Sequence, residues 1–61
     1  MTPEQREKFC EQNEVIVGPI YGESGTCGGW YAWASQKMVH AYAIGRAEVI
    51  EMLAKMMGVM K

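Results

Sequence analysis

Cys27 lies in a glycine-rich run, GESGTCGGWYAW over residues 22–33, and Cys10, Cys27 and His40 are the only thiols and imidazole in 61 residues. If the run opens a helix, the positive helix N-terminus would favour thiolate on Cys27. A nucleophile also needs an oriented base. On a helix beginning near Trp30, His40 would stand about two and a half turns, roughly 15 Å, further along. The same glycine-rich turn could offer backbone N–H groups to an anion. However, the chain has no P-loop Lys-Ser/Thr pair, no full dinucleotide fingerprint and no Asp to hold Mg²⁺. Cys10, Cys27 and His40 are not joined by Cys-x-x-Cys or His-x-x-x-His spacing. The expectation is therefore no catalytic residue, no metal and no cofactor, with a thiol or small-ligand site at Gly25 to Gly29 as the alternative.

Two local resemblances bear on these residues. GTCGGWYAWAS is similar to the catalytic-cysteine segment of papain-like proteases, where a glycine-cysteine turn leads into a helix with an aromatic-Ala-aromatic sequence. In that family the nucleophile is the second cysteine of CGSCW. The matching position here is Trp30, and Cys27 matches the disulfide-forming cysteine. Cys27 is accordingly expected to be a small buried hydrophobe, with a bond to Cys10 as a conditional extra. AYAIGRAEVIEMLAKMMG, from Ala41 to Gly58, resembles the helix-turn-helix portion of an ankyrin repeat, with Gly45 ending one helix; it occurs once and lacks the Thr-Pro-Leu-His opening.

The elements that would position these groups are read from caps and periodicity. Thr2 as N-cap, Pro3 at the first helical position and Gln5 three residues after the cap predict a helix over residues 3–12. Its only apolar side chains are Phe9 and Cys10, so it covers a core without making one. Residues 14–29 combine β-branched Val15, Ile16 and Val17 with Gly18-Pro19 and small polar residues, an extended or ribbon-like segment turning at Gly18-Pro19. Residues 30–59 contain no proline, and at 100° per residue Lys37, His40, Glu48, Glu51 and Lys55 share an arc of about 80°. Val39, Tyr42, Ile50, Leu53, Met57 and Met60 lie opposite, and the phase persists through Gly45. The expected fold is mainly α: a short helix, an extended segment and one long amphipathic helix over 30–59, with a kink or break at Gly45 as the open question.

A single domain of this size has a small core, and a long helix cannot bury its own stripe. The stripe, with Met38, Met52, Met56, Met57 and Met60 on or beside it, predicts a homodimer through Val39, Tyr42, Arg46, Ile50, Leu53, Met57 and Met60. Arg46 would then pair with a glutamate from the acidic N-terminal segment of the other chain. On the same wheel Trp30, Trp33, Lys37 and Ile44 fall on the charged side, where the tryptophans need either a cover, with Phe9, Val15, Ile16 and Val17 folding back over them, or a partner bound by all four residues as an exposed patch.

Composition narrows the partner. Seven Glu and no Asp stand against six Lys plus Arg, net −1, so neither a nucleic-acid footprint nor an acidic mimic of one is indicated. No apolar run approaches a membrane span, and MTPEQREKF is polar and mixed in charge, unlike a leader. The expectation is a cytoplasmic, non-enzymatic interaction protein that binds an unidentified protein as an adaptor or inhibitor; chains of this size are frequent among phage accessory proteins.

Overall fold

A computed structural model describes residues 1–22 and 24–59. The element order is α1 (Pro3–Gln12), β1 (Val15–Tyr21), β2 (Cys27–Ala34), β3 (Val39–Ala43) and α2 (Arg46–Met56). The three strands form one antiparallel sheet in the order β1-β2-β3. This is a small α/β fold, and it corrects the expectation of a mainly α chain with one long helix over 30–59. The first half of that stretch is a β-hairpin, and the helix begins only at Arg46.

α1 forms where its caps place it. The Thr2 hydroxyl accepts from the Gln5 backbone N–H at 3.2 Å, and the Thr2 N–H donates to the Gln5 side chain at 2.8 Å. This reciprocal box satisfies two of the helix's orphan donors. β1 then runs straight through Gly18-Pro19 instead of turning there, and its register with β2 is Val15↔Ala34 and Gly18↔Tyr31, shifting between Ile20 and Tyr21. Proline is tolerated because β1 is an edge strand, where a missing N–H costs no ladder bond. The reversal comes later, around Gly25, whose φ of 79° suits glycine.

β2 and β3 pair Trp30↔Ala43, Ala32↔Ala41 and Ala34↔Val39. Their side chains alternate with the strand period of two. Ala32, Ala34 and Ala41 are buried on one face, beside Val15, Val17, Trp30, Val39 and Ala43. Both helices lie against this face, α1 nearest β1 and α2 chiefly over β3 and β2. Small residues on the sheet let the helices approach closely, and Phe9, Val49, Ile50 and Leu53 fill the space between.

Gly45 is the N-cap of α2, with φ −112° and ψ 153°, and has no side-chain cap. The other end closes in a Schellman turn: Gly58 at φ 76° donates to the Lys55 carbonyl at 3.0 Å and Val59 to the Ala54 carbonyl at 2.9 Å. Glu51 ties α2 to the start of α1, with Arg6 Nη1 at 3.3 Å and the Met1 amino group at 3.7 Å. Arg46 does meet an N-terminal glutamate, Glu7 at 3.2 Å, but within the same chain.

The long-helix dimer loses its basis in this packing. Ile50 and Leu53 are fully buried inside the chain, and Val39 and Met57 pack against the same core. The stripe of α2 expected to meet a symmetry mate through Ile50 and Leu53 serves the chain's own sheet instead. Met60 lies outside the described residues.

Candidate binding face

The side of the sheet away from the helices has no cover. Strand alternation places Ile16, Gly18 and Ile20 of β1, Tyr31 and Trp33 of β2, and His40 and Tyr42 of β3 on it. Register aligns them in rows across the three strands: Ile16, Trp33 and His40 in one, Gly18, Tyr31 and Tyr42 in the next. Trp33 and His40 stand with ring centroids 5.8 Å apart and tilted by 45°; His40 and Tyr42 meet edge-on at 5.6 Å. The Tyr31 ring occupies the space over Gly18, where an added Cβ would come within 2.9 Å of its Oη. Glycine at 18 is thus what allows the ring to lie across β1. The surface is a neutral aromatic pavement with Ile16 and Tyr42 more than half exposed, at 55% and 60%.

The patch expected from the helical wheel is divided by the true alternation. Trp33 belongs to the open face, whereas Trp30 turns to the opposite side and packs against the core. Lys37 lies in the four-residue β2–β3 turn, exposed at one end of the face, and Ile44 is 84% exposed just beyond the end of β3. Tyr42, expected in a dimer stripe, stands instead beside His40 on the open face. Ile16, as part of a cover, and His40, on the same arc of the wheel, were expected on the side of Trp33; Tyr31 and Tyr42 were not. The signal that could have found them is the alternation of Trp30, Ala32 and Ala34 with Tyr31 and Trp33.

The thiols occupy different surroundings. Gly25 and Thr26 lead into β2, of which Cys27, Gly28 and Gly29 are the first residues, so no helix starts at Cys27. The Cys27 thiol donates to the Gly29 carbonyl at 3.3 Å. His40 pairs in register with Trp33, six residues along β2 from Cys27, about 20 Å by strand rise, so no Cys–His dyad forms within the chain. Both cysteines are free thiols. Among the described residues no group of three His, Cys, Asp or Glu side chains could hold a metal ion.

Cys10, on α1, is half-buried, and burial, then the nearby Glu7 carboxylate, push its thiol up against a smaller opposing pull from Arg46. A raised value leaves less thiolate at a given pH, and thiolate is the reactive form. Iodoacetamide at pH 8 is therefore expected to modify exposed Cys27 well before Cys10, as read by peptide mass spectrometry over time. Faster labelling of Cys10 in the folded protein would contradict the packing of α1.

An open cleft of about 400 Å³ lies on the helical side, lined by Met1, Gln5, Lys8, Phe9, Gln12, Asn13 and Val59. It has a single cationic side chain, Lys8, and no acid, base or thiol converging on it. Comparison with protein-family models, with curated proteins and with solved structures gives no match to this chain. No helix among the described residues is long and apolar enough to cross a membrane.

Proposed function

We propose that this protein is a non-catalytic, cytoplasmic interaction module, an adaptor or inhibitor, that docks a protein partner on the open aromatic face of its sheet. The observation that carries this reading is an uncovered face holding Tyr31, Trp33, His40 and Tyr42 with Ile16 and no charged side chain. Trp and Tyr bury large areas with few rotamers to freeze, and their polar tips tolerate a wet rim, which is why they dominate binding energy at protein interfaces. Lys37 and Ile44 then serve as rim contacts. Bases could also stack on such rings, but strand-tracking proteins combine stacking with a cationic groove, and this face has no Lys or Arg. A protein segment offering apolar or aromatic side chains is the better fit.

The test is affinity capture from the native host, followed by calorimetry with the purified partner. Trp33→Ala, with unchanged far-ultraviolet circular dichroism, is expected to weaken binding by about thirtyfold or more, the loss of a hot-spot residue. Lys8→Ala on the helical side is expected to leave affinity unchanged. Equal binding by wild type and a Trp33→Ala/Tyr42→Ala variant would sink the proposal, as would tight binding of a single-stranded oligonucleotide through the same residues.

A further inference from the structure

We infer that the outer edge of β3 is a self-association edge, on which two copies pair antiparallel about Ala41 into a six-stranded sheet. The two edges of the sheet differ in kind. β1 carries Pro19, which cannot donate to a neighbouring strand, and its register shifts at Ile20–Tyr21. β3 has none of the devices that blunt an edge, neither proline, nor bulge, nor charge, in the run Met38 to Ile44.

Exposed apolar side chains gather along that edge. Met38 is 75% exposed in the turn that enters β3, and Ile44 is 84% exposed just past its other end. α2 adds a second layer. Glu51 turns toward α1, where Arg6 meets it, and Met52 and Met56 follow about 100° and 140° further around the helix axis, on the flank away from α1. Because α1 lies nearest β1 and α2 over β3 and β2, this flank stands above the free edge of β3. Met52 and Met56 are 44% and 56% exposed there.

The run is complementary to its own reversal, the condition for a two-fold interface. Antiparallel pairing about Ala41 sets Val39 against Ala43 and His40 against Tyr42, each pair occurring twice, and brings Met38, in the turn before β3, toward Ile44 just past its end. The His40–Tyr42 pair would repeat between copies an edge-on contact already made within one strand. Beyond the strand itself, Lys37 in the β2–β3 turn and the Glu48 carboxylate, which folds beside Gly45, stand at opposite ends of β3; a Cβ at Gly45 would be 3.7 Å from Glu48 Oε1. Neither Lys37 nor Glu48 is in an ion pair among the described residues, so opposite charges bracket both ends of the joined edge. On the helical side Met52 and Met56 of the two copies face one another, and methionine adapts readily to such contacts. The open faces stay on one side of the joined sheet, so the dimer presents two aromatic pavements side by side.

Sedimentation equilibrium at tens of micromolar is expected to give a dimer for the wild-type chain and a monomer for Met52→Glu/Met56→Glu, whose substituted positions are exposed. Register is tested in a background with Cys10 and Cys27 replaced by serine. A mixture of Met38→Cys and Ile44→Cys chains is expected to form a mixed disulfide dimer on mild oxidation. Met38→Cys alone is expected to stay uncoupled, since its two copies would lie about 20 Å apart along the joined edge. A wild-type monomer at millimolar concentration would overturn the inference. So would coupling of Met38→Cys chains to each other at the rate of the mixed pair, or β3 amide protection arising only when a different protein is added. None of these measurements depends on the identity of the partner bound by the open face.

Discussion

Replacing Leu53 with alanine is expected to lower the stability of the fold by about 2–5 kcal/mol, the usual cost of a large buried aliphatic truncation. Leu53 has no exposed surface and stands with Val49, Ile50 and Ala54 on the side of α2 that meets the sheet. The opposing sheet residues Ala32, Ala34 and Ala41 have no longer side chain with which to refill the space. A domain of this size has a total stability of roughly 3–9 kcal/mol, so the variant should lose a large share of it. Urea denaturation followed by circular dichroism reads the effect as a lower midpoint at unchanged slope. Ile50→Val, which removes one methyl group, should cost about 0.5–1.5 kcal/mol. A midpoint shift worth less than 1 kcal/mol for Leu53→Ala would mean that the helix and sheet do not close on each other at this point.

Phe9→Ala is expected to cost about 3–5 kcal/mol as well, but to act locally before it acts globally. Phe9 is the only buried residue of α1. Met1 and Cys10 pack only partly against the same core, and in the ion pairs among the described residues, Glu51 with Arg6 and the Met1 amino group and Arg46 with Glu7, at least one partner is a third exposed or more. Pairs of this kind contribute little in water. With Phe9 truncated, α1 should open as a unit while β2, the central strand, stays paired. Hydrogen exchange would report it as a large loss of protection over residues 3–12 relative to residues 30–34. If α1 retained protection equal to that of β2 in this variant, Phe9 would not be its anchor.

How far the sequence could be read depended on whether local chemistry or tertiary packing determines each element. α1 was legible with its observed ends because Thr2, Pro3 and Gln5 make a self-contained cap. The extended character of Val15 to Val17 was legible from β-branching, but not its continuation through Pro19, which depends on β1 being an edge. Residues 30–43 were misread as helix for two physical reasons. Both faces of β2 and β3 are apolar, alanine inside and aromatic outside, so alternation leaves little trace in hydropathy, and alanine itself favours helices. The turn between them, Ser35 to Met38, lacks glycine and proline, and Met38 itself takes the left-handed φ of 56° that glycine would have announced. Gly45 was equally silent, capping α2 without a side chain to mark it.

The candidate face was affected in the same way. Trp33 was singled out in both readings, but the wheel gave it Trp30 as a neighbour and set Tyr31 and Tyr42 on the other side, whereas a strand period sends Trp30 to the core and brings Tyr31 and Tyr42 onto the face of Trp33. Choosing the wrong period changed the membership of the surface more than its location.

The alanine lining of the sheet has a consequence for how this fold can vary. The molecule is only 18 Å through its thinnest dimension, and a single layer of backbone separates the packed side from the aromatic side. Ala32, Ala34 and Ala41 on the packed side sit in a space sized for one methyl group, so almost any enlargement there would push the helices away. On the aromatic side the same strands meet no wall. One side of each strand is locked while the other, Gly18 beneath the Tyr31 ring excepted, is open to substitution, an arrangement suited to recoding specificity by point substitution without redesigning the scaffold.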